Sequence, residues 1–88
     1  MADFARSPLT ILRRRQVELE TGYSRSTIYL RISQGLWPRP VNLGPRSVGW
    51  PAHEVETMIS ARIGGKTDEQ VRTLVARLEG ERTAVHGR

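Results

Sequence analysis

Two glycines, Gly22 and Gly35, divide the stretch from residue 14 to residue 34 into two short helical segments. "RRRQVELETG" offers good helix formers, with Val17 and Leu19 as its apolar residues, and puts Gly22 where a left-handed C-terminal glycine belongs. The spacing predicts a first helix over about Arg14 to Thr21. Ser24 is a natural N-cap, its hydroxyl placed to accept an orphan backbone N–H, so a second helix runs from about Arg25 to Gln34 until Gly35 ends it. Two short helices about three residues apart, with a glycine between them, are the sequence form of a helix-turn-helix.

The next segment, "LWPRPVNLGPRSVGWP", cannot prolong those helices. Its prolines at 38 and 40 forbid a helix, and Val41, Leu43, Val48 and Trp50 alternate with polar or small residues on either side of "GPR". A β-hairpin is expected, strands about 41–43 and 47–50, with Arg46 near its tip. Such a hairpin is marginal alone and must pack on the helices. Pro51 suits the start of a third helix, about Ala52 to Arg62, with Val55, Met58 and Ile59 on one face. After "GGK", Thr67 and Gln70 fit a capping box for a fourth helix, about Asp68 to Glu79, with Val71, Leu74, Val75 and Leu78 at helical spacing. That stripe serves either as intramolecular core or as a self-association face. Residues 1–9 lack periodicity and are expected to be flexible. Residues 64–80 read as linker and C-terminal helix, and 81–88 as a flexible tail after Gly80.

With 88 residues the chain makes one small domain, burying only about 60% of its unfolded surface. An enclosed active-site cavity is not expected. No cysteine is present, which excludes a disulfide framework and thiolate metal sites and suits a reducing cytoplasm. No apolar run approaches the ~20 residues needed to span a bilayer; the expectation is a cytoplasmic, nucleoid-associated protein without membrane contact. The net charge of +5 is carried entirely by residues 1–50, since residues 51–88 balance. A basic half attracts polyanions, and the bias of 13 Arg against one Lys favours partners that match a guanidinium fork, phosphate and guanine edges among them. Nucleic acid is the expected partner, with an acidic protein surface, anionic lipid or a merely soluble domain as the alternatives; taken with the helix and the resemblance below, double-stranded DNA is the expectation.

The second helix shows where that charge points. At about 100° per residue, Ile28 and Ile32 define a buried stripe, while Arg25, Ser26, Tyr29, Leu30 and Ser33 spread over the far side. One guanidinium, two hydroxyls, a phenol and an isobutyl group suit a major groove: guanine O6 and N7, phosphate or base edges, and the thymine methyl. The bland alternative is that the hydroxyls only start the helix and Tyr29 half-covers the core. Arg31 borders the buried stripe and is better placed to lay its stem on apolar surface. Arg46, on a turn, can reach phosphate or a narrow minor groove. Arg14 and Arg15 come after Arg13 at the start of the first helix, where cations oppose the macrodipole and an outside anion would relieve them. Trp37 and Trp50 read as core, His53 and His86 as surface.

"GYSRSTIY" (22–29), "GLWPRP" (35–40) and "LGPRSVGW" (43–50) carry a further signal. The chain over about residues 11–62 resembles the AlpA-type phage regulatory proteins, small winged helix-turn-helix factors related to MerR-like DNA-binding domains and to phage excisionases. The resemblance implies a mainly α fold with a small β-hairpin, here with an added C-terminal helix, and a DNA-binding domain over residues 10–63. It also implies a recognition helix whose Arg25, Ser26, Thr27 and Tyr29 face DNA, and a wing carrying Arg46 with Ser47 beside it. Leu30 stands where many relatives have a basic residue. Such proteins act as transcriptional regulators of prophage genes or as directionality factors that help an integrase excise an integrated element.

A rival reading is a protein-interaction module in which Tyr29 and Leu30, or the 71–78 stripe, docks an integrase or RNA polymerase. An enzyme is disfavoured: there is no Cys nucleophile, no histidine pair at metal spacing and no convincing acid pair, and no cofactor is expected. "GGKT" at 64–67 is like the end of a phosphate-binding loop, but Ser60 stands where that motif's first glycine belongs.

Overall fold

The computed structural model describes residues 10–86, so the expectations for residues 1–9 and 87–88, and for the side chain of His86, lie outside it. Its seven elements are, in chain order, β1 (Ile11–Leu12), α1 (Arg14–Thr21), α2 (Arg25–Ser33), β2 (Val41–Gly44), β3 (Ser47–Pro51), α3 (Ala52–Ile63) and α4 (Asp68–His86). The architecture is mostly helical with a small three-stranded antiparallel sheet, a winged helix-like arrangement closed by the C-terminal helix.

The two leading helices start and stop by local chemistry. Gly22 adopts φ 78° and returns its N–H to the Glu18 carbonyl at 2.8 Å, ending α1. Ser24 Oγ accepts from the Thr27 N–H at 3.2 Å and opens α2. At the far end Gly35, at φ 76°, donates to the Ile32 carbonyl while Leu36 N–H reaches back to Arg31 at 2.8 Å. These two bonds form a Schellman closure, which only a left-handed residue permits without strain.

The expected hairpin forms, and it is part of a larger sheet than the sequence suggests. β3 pairs with β2 (Val41 opposite Gly49) and, on its other edge, with β1 (Leu12 opposite Trp50), giving the order β1-β3-β2. A two-residue strand has too little alternation to be read from pattern. Its signature is tertiary: a Cβ on Gly49 would lie 2.9 Å from the Leu12 carbonyl oxygen, so β1 approaches β3 only because position 49 lacks a side chain.

Leu12, Val17, Ile28, Trp37, Trp50, Val55 and Met58 bury themselves between the helices and the sheet. Both tryptophans are core residues, as expected, and Trp50 donates its indole N–H to the Pro38 carbonyl at 2.8 Å. The capping box opens α4 as the sequence indicates, with Thr67 and Gln70 exchanging bonds of 2.9 and 3.2 Å.

One expectation for α4 is settled and one is corrected. Val75 and Leu78 lie in the core, and Val71 and Leu74 pack against it, so of its two expected roles the stripe takes that of intramolecular core. The helix also passes through Gly80 to His86, where the sequence pattern ends it at Glu79. The cause lies beyond the apolar stripe. Glu54, fully buried in the first turn of α3, receives both ends of the Arg82 guanidinium at 2.8 and 2.6 Å, and Arg82 also donates to the Arg39 carbonyl at 2.7 Å. A buried carboxylate deprived of its cation is costly. Arg82→Ala is therefore expected to destabilise the fold by on the order of 3–5 kcal/mol in urea unfolding, whereas the apolar pair Glu54→Met with Arg82→Leu should be roughly neutral or stabilising.

Candidate nucleic-acid interface

Ile28 is completely buried and Ile32 packs on the core, which fixes the rotation of α2 about its axis. Arg25, Ser26, Tyr29, Leu30 and Ser33 are consequently all exposed on one side. Leu30 is 57% exposed, an isobutyl group turned to solvent on this face. The Arg25 guanidinium lies 6.0 Å from the centroid of the Tyr29 ring, so the phenol and the guanidinium form one surface unit. No acidic residue occupies the first turn of α1 or of α2, and the positive ends of both helix dipoles are left uncompensated from within.

The remaining polar groups of this face are partly engaged. The Thr27 hydroxyl is half-buried and accepts from Ser24 Oγ at 3.0 Å, leaving it one donor. Ser33 donates its hydroxyl to the Leu30 carbonyl at 2.6 Å, leaving it an acceptor. Arg14 is paired with Glu18 one turn along, so its charge is offset, while Arg15 is exposed.

The wing is held by residues that sequence patterning does not single out. The Arg13 side chain donates from Nε to the Val48 carbonyl at 3.1 Å, tying the start of α1 to β3. At the hairpin tip the Asn42 side chain accepts from Gly44 N–H at 3.0 Å, the ladder slips between Asn42 and Gly44, and Arg46 turns the corner with φ 59°. Arg46 is exposed and Ser47, beside it, is half-buried. From the other side, Arg72 of α4 donates to the Gln34 carbonyl at 2.8 Å and so caps the end of α2. Arg39, between α2 and the wing, gives its backbone N–H and its guanidinium to Glu79 at 2.8 and 3.3 Å. The partners in these tethers are 35 to 40 positions apart, beyond any local pattern.

Among the described residues no group of three or more His, Cys, Asp or Glu could hold a metal ion. Nor is any helix among them long and apolar enough to cross a membrane.

The family model described as prophage CP4-57 regulatory protein (AlpA) matches residues 10–63, which run from β1 to the end of α3. Over 45 residues the chain is 44% identical to a protein of Enterobacteria phage P4 bearing the description "Uncharacterized protein ORF88". That match spans about half the length of each chain, 51% in both cases. No solved structure matches the chain.

A left-handed arginine is strained by about 1–2 kcal/mol, and glycine at the same place is not. Arg46→Gly should thus leave thermal stability unchanged or slightly raised, while the β-branched Arg46→Val should lower it by about 1 kcal/mol or more.

Proposed function

The chain belongs to the AlpA family of prophage regulatory proteins, and we propose that it binds double-stranded DNA sequence-specifically, with no catalytic step. The observation that carries this reading is the exposed face of α2, on which a guanidinium, two hydroxyls, a phenol and an isobutyl group stand opposite a buried isoleucine. In the reading we favour, α2 enters the major groove. Arg25 pairs with a guanine edge, Tyr29 stacks against Arg25 and holds it ready, and Leu30 meets a thymine methyl. Ser26, Thr27 and Ser33 contact phosphates or base edges. Arg46 and Ser47 on the wing touch backbone or minor groove, and Arg15, with Arg14, adds a phosphate contact beside the start of α1. The output is transcriptional control of the genes of an integrated element, assistance to its excision, or both; an integrase or RNA polymerase would act as the protein partner.

Affinity for the DNA upstream of its own element, measured across a salt series against random duplex, tests the proposal. A linear fall of log K with log salt and a clear preference for the cognate site are expected; a flat salt response or equal affinities would refute it. Arg25→Ala should cost on the order of 1–3 kcal/mol on the cognate site and little on random DNA, whereas Arg46→Gly should weaken both alike.

A further inference from the structure

Arg31 belongs to α2 but not to its exposed face. It sits about 170° around the helix from the middle of the Arg25–Ser33 side, and its guanidinium lies 4.9 Å from the centroid of the Tyr23 ring. A second guanidinium, that of Arg62 near the end of α3, is 4.7 Å from the same centroid. Lys66, in the turn between α3 and α4, lines the same hollow of about 170 Å³, together with Trp37 and with Asp68 at the start of α4. Three cations and one carboxylate therefore border a space of about five or six water volumes.

Two facts set this hollow apart from an ordinary basic patch. Arg62 donates to the Thr21 carbonyl at 3.0 Å, but the Arg31 guanidinium has no hydrogen bond or ion pair among the described residues. In addition, the ring of Trp37, a residue only 3% exposed, meets that of Tyr23 edge-to-face at 5.9 Å, and its indole N–H has no nitrogen or oxygen acceptor among the described residues. Buried indole N–H groups nearly always find one, and Trp50 in the same core does. A buried neutral donor beside an excess of positive charge is the chemistry that binds an oxyanion.

We propose that the hollow bounded by Tyr23, Arg31, Trp37, Arg62 and Lys66 is a binding site for a small oxyanion of the phosphate type. Arg31 and Lys66 supply charge, and Trp37, which lines the hollow and whose indole N–H is buried without a partner, supplies a desolvated donor once its ring shifts to meet the anion. The same oxygens could come from a free anion or from a DNA backbone phosphate. The position of Arg31, turned away from the side of α2 that faces outward, favours the free anion. Residues from the α1–α2 turn, α2, α3 and the head of α4 would meet at the ligand, which links the recognition helix to the helix behind it.

The two indole resonances of the full chain in a ¹H–¹⁵N spectrum provide the test. Inorganic phosphate, titrated at constant ionic strength against chloride, is expected to move the Trp37 indole signal saturably and leave that of Trp50, already bonded to Pro38, in place. Arg31→Gln and Lys66→Gln, both at side chains with no hydrogen bond among the described residues, should each weaken the half-saturation at least tenfold while both indole signals keep their folded dispersion. No saturable movement of the Trp37 signal, or unchanged half-saturation in both variants, would overturn the proposal. A Trp37 signal that responds to a DNA duplex and not to phosphate would also overturn it, assigning the cations to the DNA backbone, and would leave the reading of α2 as recognition helix intact.

Discussion

A carboxylate without solvent needs a cation, and the back half of this fold is arranged around that requirement. Glu54 sits in the first turn of α3, where the helix dipole favours a negative charge but is too weak to replace lost hydration. The counter-charge comes from Arg82, which can reach Glu54 only if α4 continues past Gly80 and crosses α3. Once there, Arg82 also takes the Arg39 carbonyl, and Glu79, one turn earlier, takes the Arg39 N–H. One ion pair thus draws α4 past Gly80 and, with Glu79, positions the segment that leads from α2 into the wing.

The exposed face of α2 inherits its rigidity from these contacts. Its rotation is set by Ile28 in the core, its start by Ser24, and its end by the Schellman closure together with Arg72 of α4. The wing is fixed separately, by Arg13 from α1 and by the pairing of β1 to β3. Both candidate contact elements are therefore braced by parts of the chain that do not themselves belong to the exposed face. The family match ends at residue 63, yet α4 contributes the cap on α2, two core residues and the partner of Glu54. In this chain the helix beyond the matched region is part of the domain.

Features encoded within a few residues were legible in the sequence. Gly22, Ser24, Gly35 and the Thr67–Gln70 box each define a helix end by local hydrogen bonds, and all four act where the pattern places them. The outer face of α2 obeys the same logic, because Ile28 and Ile32 leave only one side free. What could not be read depends on partners far along the chain. β1 is recognisable only through the empty space above Gly49, and the final turns of α4 depend on a glutamate 28 positions before Arg82. Leu30 shows the limit from the other direction: its exposure was evident from spacing, while nothing in the spacing says which chemical group it meets.

The arginine content has a more mixed meaning than its net charge suggests. Arg13, Arg62, Arg72 and Arg82 direct N–H groups to backbone carbonyls of Val48, Thr21, Gln34 and Arg39, and Arg39 binds Glu79. These five act as braces between segments, a role that a rigid fork of donors performs and a single ammonium performs poorly. Arg14 is paired with Glu18, and Arg77 lies 3.8 Å from Glu81. The basic excess of the first half is thus partly structural, and α2 presents a single outward guanidinium, Arg25. If the protein reads DNA through this helix, discrimination rests on that one fork, held against Tyr29, and on hydroxyl and apolar contacts that carry no charge. A reader built this way draws less of its affinity from phosphate neutralisation than one whose cations are all free, and its specificity depends correspondingly on how firmly the braces behind α2 hold the helix in place.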